Sequence, residues 1–98
     1  MREQISQAMQ KALQGSRKIK ITFKPKATKE VILLLYQKNR GEIDLPNDLE
    51  RKLLMVAYFG WWKHDLDRTM DITLNENIDH SWFAKRISYA LEKIEVVD

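Results

Sequence analysis

Between residues 18 and 24 apolar and polar side chains alternate without a break: Ile19, Ile21 and Phe23 on one parity, Lys18, Lys20, Thr22 and Lys24 on the other. Successive side chains of a strand point to opposite faces, so this stretch reads as a β-strand with one buried face. Pro25 ends it, because proline has no amide hydrogen to give to a ladder. Such a strand needs a covering layer, and the segments on either side read mostly as helices.

Ile5, Ala8, Met9, Ala12 and Leu13 recur at helical spacing, with Gln4, Gln7, Gln10 and Lys11 on the other side and Gly15 as a stop. Thr28 is placed to cap a second helix. Its apolar run, residues 31–36, covers the whole circumference, which predicts a helix in the middle of the fold that closes at Gln37 and Gly41. A third helix starts near Pro46, with Asn47 or Asp48 as cap, and runs to about His64 with Gly60 inside it. Met70, Ile72 and Leu74 alternate with Asp71 and Thr73, which suggests a second short strand pairing with the first, followed by a turn at residues 75–77. Ser81 is placed to cap a fourth helix carrying Phe83, Ile87, Ala90, Leu91 and Ile94 as one stripe. The expectation is a small α+β single domain spanning residues 1–98, with about four helices on one face of a two-stranded or dimer-completed sheet.

Composition removes several chemistries. There is no cysteine, hence no disulfide framework, thiolate metal site or thiol nucleophile. The three glycines, Gly15, Gly41 and Gly60, are scattered and form no phosphate-binding loop. His64 precedes Asp65, with Asp67 nearby, but His80 is the only other histidine, too few for a three- or four-ligand metal site. Ser6, Ser16, Ser81 and Ser88 sit in ordinary capping or surface contexts with no base and orienter in sequence reach. The chain therefore reads as non-enzymatic, without cofactor or metal. No apolar run approaches the roughly 20 residues of a spanning helix, and the N-terminus opens on Arg2 and Glu3, so a cytoplasmic protein without a membrane partner is expected.

Charge is divided along the chain. Residues 1–40 hold ten Lys/Arg against two acids, a net +8, and residues 41–98 hold seven against twelve, a net −5. Within the basic part Arg17, Lys18, Lys20, Lys24, Lys26 and Lys29 follow one another without an acid. If Ile19, Ile21 and Phe23 point inward, Lys18, Lys20 and Lys24 line one exposed face, an arrangement suited to phosphate backbones, with Thr22 as a base or sugar contact. The structural alternative is that the lysines guard an exposed edge strand against pairing with another chain.

A basic strand at residues 18–24, a helix from Thr28 to about Asn39, Gly41 and a helix from Asn47 onward resemble the ribbon-helix-helix DNA-binding family over about half the chain. That resemblance implies a dimer whose paired strands enter a DNA groove. The connection at residues 42–46 is longer than that family's tight turn, and the chain continues well past the second helix.

The third helix adds a different expectation. At 100° per residue Leu49, Leu53, Val56, Ala57 and Gly60 share one side, while Met55, Tyr58, Phe59 and Trp62 cluster almost opposite. Two apolar faces need two partners: one is core, and the other is covered internally or left for a dimer or protein partner. Trp82, Lys85, Arg86, Tyr89 and Lys93 form a further aromatic and cationic flank on the fourth helix, suited to bases or acidic surfaces. From its sequence the chain reads first as a small, dimeric nucleic-acid-binding regulatory protein. The alternative is a protein-binding inhibitor, antitoxin or immunity-type protein of a mobile element, using Met55, Tyr58, Phe59 and Trp62 or its acidic C-terminal half.

Overall fold

β1 (Lys18–Phe23) is the middle strand of an antiparallel three-stranded sheet, flanked by β2 (Thr69–Thr73) and β3 (Leu91–Val97) in the order β2–β1–β3. The computed structural model describes residues 1–60, 62, 64, 68–75 and 77–98. Ile19 lies opposite Ile72 and Val96, and Ile21 opposite Met70 and Ile94, so the apolar parity of β1 meets the apolar parity of both neighbours. This face is the floor of the core: Ile19, Ile21 and Phe23 have no solvent exposure.

Four helices among the described residues cover that face: α1 (Arg2–Leu13), α2 (Thr28–Asn39), α3 (Asn47–Phe59) and α4 (His80–Ile87). α1 packs on α4 and on β3, while α2 and α3 pack on each other, with α3 reaching β2. Ile5, Met9 and Ala12 of α1, Val31 and Leu34 of α2, Leu49, Leu53 and Val56 of α3, and Phe83, Ala84 and Ile87 of α4 join the sheet residues in one buried cluster.

The α+β class agrees with the sequence, and the structure pairs residues 69–73 with β1 as expected, but the sheet has three strands where two were expected. The third was hidden in the fourth helix. α4 ends at Ile87, residues 88–90 turn, and the chain returns as β3 beside β1. Leu91 and Ile94 satisfy a helical stripe and a strand equally; the β-branched Ile94, Val96 and Val97 were the signal for a strand. The ladder slips between Thr22 and Phe23, which face Lys93 and Leu91, leaving Glu92 as an extra residue in a bulge. The Arg68 guanidinium donates to the Phe23 carbonyl at 3.1 Å and to Glu92 at 3.3 Å, holding that bulged end together.

Helix boundaries follow backbone geometry more than the expected side-chain caps. Gly41 takes φ 75° and closes α2, with its amide on the Lys38 carbonyl and that of Glu42 on the Gln37 carbonyl. Gly60, expected inside α3, ends it: at φ 79° its amide takes the Val56 carbonyl. Thr28 does not cap α2; its hydroxyl donates to the Gly60 carbonyl at 3.1 Å and so joins the start of α2 to the end of α3. Asp48 accepts from the amides of Leu49 and Thr73, tying the first turn of α3 to the outer edge of β2. The cap of α4 is Asp79, which accepts from the Trp82 amide at 3.1 Å, and not Ser81.

Ile21 is the central residue by this account, since it is fully buried and paired on both sides. Ile21→Ala is expected to lower stability by about 2–5 kcal/mol in urea unfolding followed by far-UV circular dichroism.

Candidate functional site

The lysines of β1 point outward as predicted, but into company that the sequence alone did not show. On the solvent face Lys18 lies between Thr73 and Val97, Lys20 between Asp71 and Glu95, and Thr22 between Thr69 and Lys93. These nine positions hold three cations and two carboxylates, and opposite charges sit directly across from each other, the arrangement that stabilises a sheet pair. Lys93 and Glu95 form an ion pair at 2.7 Å. The Thr22 hydroxyl is within 3.0 Å of the Thr69 hydroxyl and so already has a partner.

The other members of the basic run sit apart from that face. Arg17 is half-buried at φ 61°, with its amide on the Ala12 carbonyl and its own carbonyl accepting from Leu74, so it links α1 to the sheet. Lys24, Lys26 and Lys29 are exposed where β1 turns into α2 and, with Lys18 and Lys20, make no ion pair among the described residues. The run is thus divided between a mixed-charge sheet face and a basic turn. Because β1 is central, its lysines are not edge guards. It also cannot pair with a second β1 as the ribbon-helix-helix resemblance requires, since both of its edges are occupied.

The aromatic set of the third helix is divided as well. Trp62 is only 8% exposed: its ring lies 5.1 Å from that of Phe23, and its indole N–H donates to the Lys24 carbonyl. It belongs to the core. Helical phase placed it with the others only because the helix was carried through Gly60, where the chain in fact changes direction. Met55, Tyr58 and Phe59 remain on the surface, with Tyr58 at 85% exposure.

They are part of a larger surface that includes residues of the apolar run 31–36, for which an interior position is expected. Ile32, Leu33 and Tyr36 of α2, expected to be buried, are half or more exposed, and so is Leu54 of α3. The two helices lie antiparallel, fixed at one end by Thr28 on Gly60 and at the other by Lys38 paired with Glu50 at 3.2 Å. With 28 opposite 60 and 38 opposite 50, residue 32 falls opposite 56, so Ile32 sits between the levels of Leu54 and Tyr58 on the neighbouring helix. Of the eleven exposed positions on α2 and α3, seven are apolar or aromatic, two are asparagine (Asn39, Asn47), two are cations (Lys29, Arg51) and none is acidic. The acids of these helices are half-buried; Glu50 pairs with Lys38, and Asp48 serves backbone amides. At the end of α2 the Arg40 guanidinium lies 5.5 Å from the Tyr36 ring centre, donates to its hydroxyl and pairs with Glu42 at 4.0 Å.

The flank expected on the fourth helix does not persist as one surface, because Lys93 stands on β3, paired with Glu95. On α4 itself the Trp82 ring is stacked by Arg86 at 4.4 Å and approached by Lys85 at 5.1 Å, and its indole N–H donates to the Glu42 carbonyl. His80 starts α4, with its Nδ1 3.0 Å from the Ser6 hydroxyl of α1, which also accepts from Gln10. Ser6 borders an open depression lined by Arg2, Glu3, Ser81 and Ala84, and the contact pins α1 to α4. His64 is exposed; Asp65 and Asp67 lie outside the described residues. No group of three or more His, Cys, Asp or Glu among the described residues is placed to hold a metal, and no helix among them is long and apolar enough to cross a membrane. No family model, curated protein or solved structure matches the chain.

Two measurements check this site. The Lys93 ammonium, first by hydrogen bond and then by charge, holds the Glu95 carboxyl below its ordinary value, and Lys20 pulls the same way. A carboxyl held low in the folded state adds stability that is present above its unfolded value and is lost as pH falls through the lower one. Carboxyl NMR titration should therefore find Glu95 below the ordinary glutamate range, and Lys93→Gln should raise it. For the aromatic set, Trp62→Ala should cost about 3–5 kcal/mol of unfolding free energy. Tyr58→Ala should stay within about 0.5 kcal/mol of the parent.

Proposed function

We propose that this chain acts by binding another protein, through the solvent face of the α2–α3 hairpin. The observation that carries this reading is the make-up of that face: seven apolar or aromatic side chains in eleven exposed positions, with no acid. A surface helix ordinarily turns a polar side to water, and contiguous apolar surface rimmed by polar groups is characteristic of contact sites. Tyr, Met and Phe are also the residues enriched in interface cores. The work of such a module is recognition, as in an inhibitor, antitoxin or immunity-type protein.

A second reading, nucleic-acid binding, rests on a separate observation: Lys24, Lys26 and Lys29 stand exposed at the β1–α2 junction without an ion pair among the described residues, and Lys18 and Lys20 are close in sequence. It ranks lower because Asp71 and Glu95 flank Lys20 and Thr69 engages Thr22, so the sheet face offers no continuous positive strip.

Capture from an extract of the native host, repeated with Leu33→Asp, Tyr58→Asp and the double variant Lys18→Glu/Lys24→Glu, separates the two. The expected result is a protein retained by the parent chain and by the lysine variant, and lost with either aspartate variant while their thermal midpoints stay near the parent's. Steeply salt-dependent binding to duplex DNA or RNA, lost in the lysine variant and kept in Tyr58→Asp, would replace this reading with the second.

A further inference from the structure

The partner's chemistry can be taken further, on the premise that the α2–α3 face is the contact surface. We infer that its occupant is an acidic amphipathic helix, laid along the seam between α2 and α3 with its apolar side on Ile32, Leu54 and Tyr58 and its carboxylates on Lys29 and Arg51.

The shape argument comes from the hairpin. Two antiparallel helices held at both ends by Thr28–Gly60 and Lys38–Glu50 run side by side with a seam between them, and recognition of a helix by such a pair uses anchors spaced i, i+3/i+4 and i+7. Leu54 and Tyr58 are one helical turn apart on α3, and Ile32 faces the gap between their levels from α2, so the exposed apolar ridges carry that same spacing. A partner strand would instead need a free sheet edge, and this face has none.

The charge argument is sharper. Every ionised side chain among the exposed positions of α2 and α3 is a cation, Lys29 and Arg51; Arg40, which follows α2, is paired with Glu42 at 4.0 Å. Arg51 borders an open depression with Asn47, Glu50 and Leu54, placing a guanidinium beside an apolar anchor on α3, and a second one with Asp48, Thr73 and Asn75 on the β2 side. Lys29 stands near the other end of the hairpin, one turn from Leu33. A carboxylate meeting either group gains a charge-assisted hydrogen bond at the rim, where complementary charge sets orientation and speeds encounter. A second copy of this chain is the poorer occupant: the exposed positions of its α2 and α3 bring Lys29 and Arg51 to the contact and no acid to meet them.

The test selects helical peptides, from a display library randomised at every position, on the whole 98-residue chain, with counter-selection on Tyr58→Asp. Enriched peptides are expected to carry apolar residues at i, i+3/i+4 and i+7 and a net negative charge. Their affinity should fall about tenfold or more in Lys29→Glu/Arg51→Glu and fall with added salt. Enrichment of apolar peptides that are neutral or basic overturns the acidic occupant and leaves the contact face standing. Absence of enrichment over Tyr58→Asp overturns the peptide partner altogether, and sedimentation equilibrium then separates the remaining cases. A dimer dissolved by Tyr58→Asp assigns the face to a second copy, whereas a monomer at all concentrations removes the contact-face reading itself.

Discussion

Pairing of β1 on both sides is the constraint from which the rest of this structure follows. A central strand with Ile19, Ile21 and Phe23 inward obliges both neighbours to present apolar residues at the same levels, and Ile72, Met70, Ile94 and Val96 do so. It equally obliges the outer face to accommodate two lysines of one strand, Lys18 and Lys20, at close spacing. Like charges directly across a sheet pair destabilise it, so carboxylates are the favourable neighbours, and Asp71 and Glu95 occupy those positions beside Lys20. The division of charge along the chain, a basic N-terminal part and an acidic C-terminal part, is in this respect an internal complementarity. β2 and β3 come from the acidic half and neutralise the strand from the basic half.

How much of this is legible beforehand depends on whether the deciding signal is local. The alternation in β1 is local and strong, and so are the stripe of Ile5, Met9 and Ala12 and the left-handed stop at Gly41. β3 is not, because Leu91 and Ile94 fit either period and pairing with β1 decides between them. The caps fail for a related reason. Thr28 and Ser81 have the right chemistry, but a hydroxyl bonds whatever lies nearest in three dimensions, and for Thr28 that is the Gly60 carbonyl, thirty-two residues away in sequence.

The site was legible in its residue types and misread in its extent. Met55, Tyr58 and Phe59 were picked out by helical phase, and phase fails at Trp62 because Gly60 ends the helix that the phase was counted on. Ile32, Leu33 and Tyr36 were missed for the opposite reason. A helix apolar around its circumference ordinarily lies in the middle of a fold. Here only one layer of helices covers a three-stranded sheet, so α2 is left with a side that has nothing above it among the described residues.

The other helices of the same layer show that this bareness is not imposed by composition. The exposed positions of α1 are Arg2, Glu3, Gln4, Gln7, Gln10 and Lys11, without an apolar side chain among them. On α4 the one exposed aromatic, Trp82, is sheltered by Arg86 and Lys85 and has its N–H satisfied by Glu42. A chain able to dress two helices in this way leaves the adjoining pair undressed. Full burial of one Leu or Ile side chain is worth about 1.5–3 kcal/mol, and that gain is forgone wherever such a residue stays in water. Ile32, Leu33 and Leu54, each about half exposed, forgo part of it in the isolated chain and would recover it under a covering partner. On the proposed reading, Lys29 and Arg51 at the exposed positions would restrict which surface could do so, favouring acidic over basic partners.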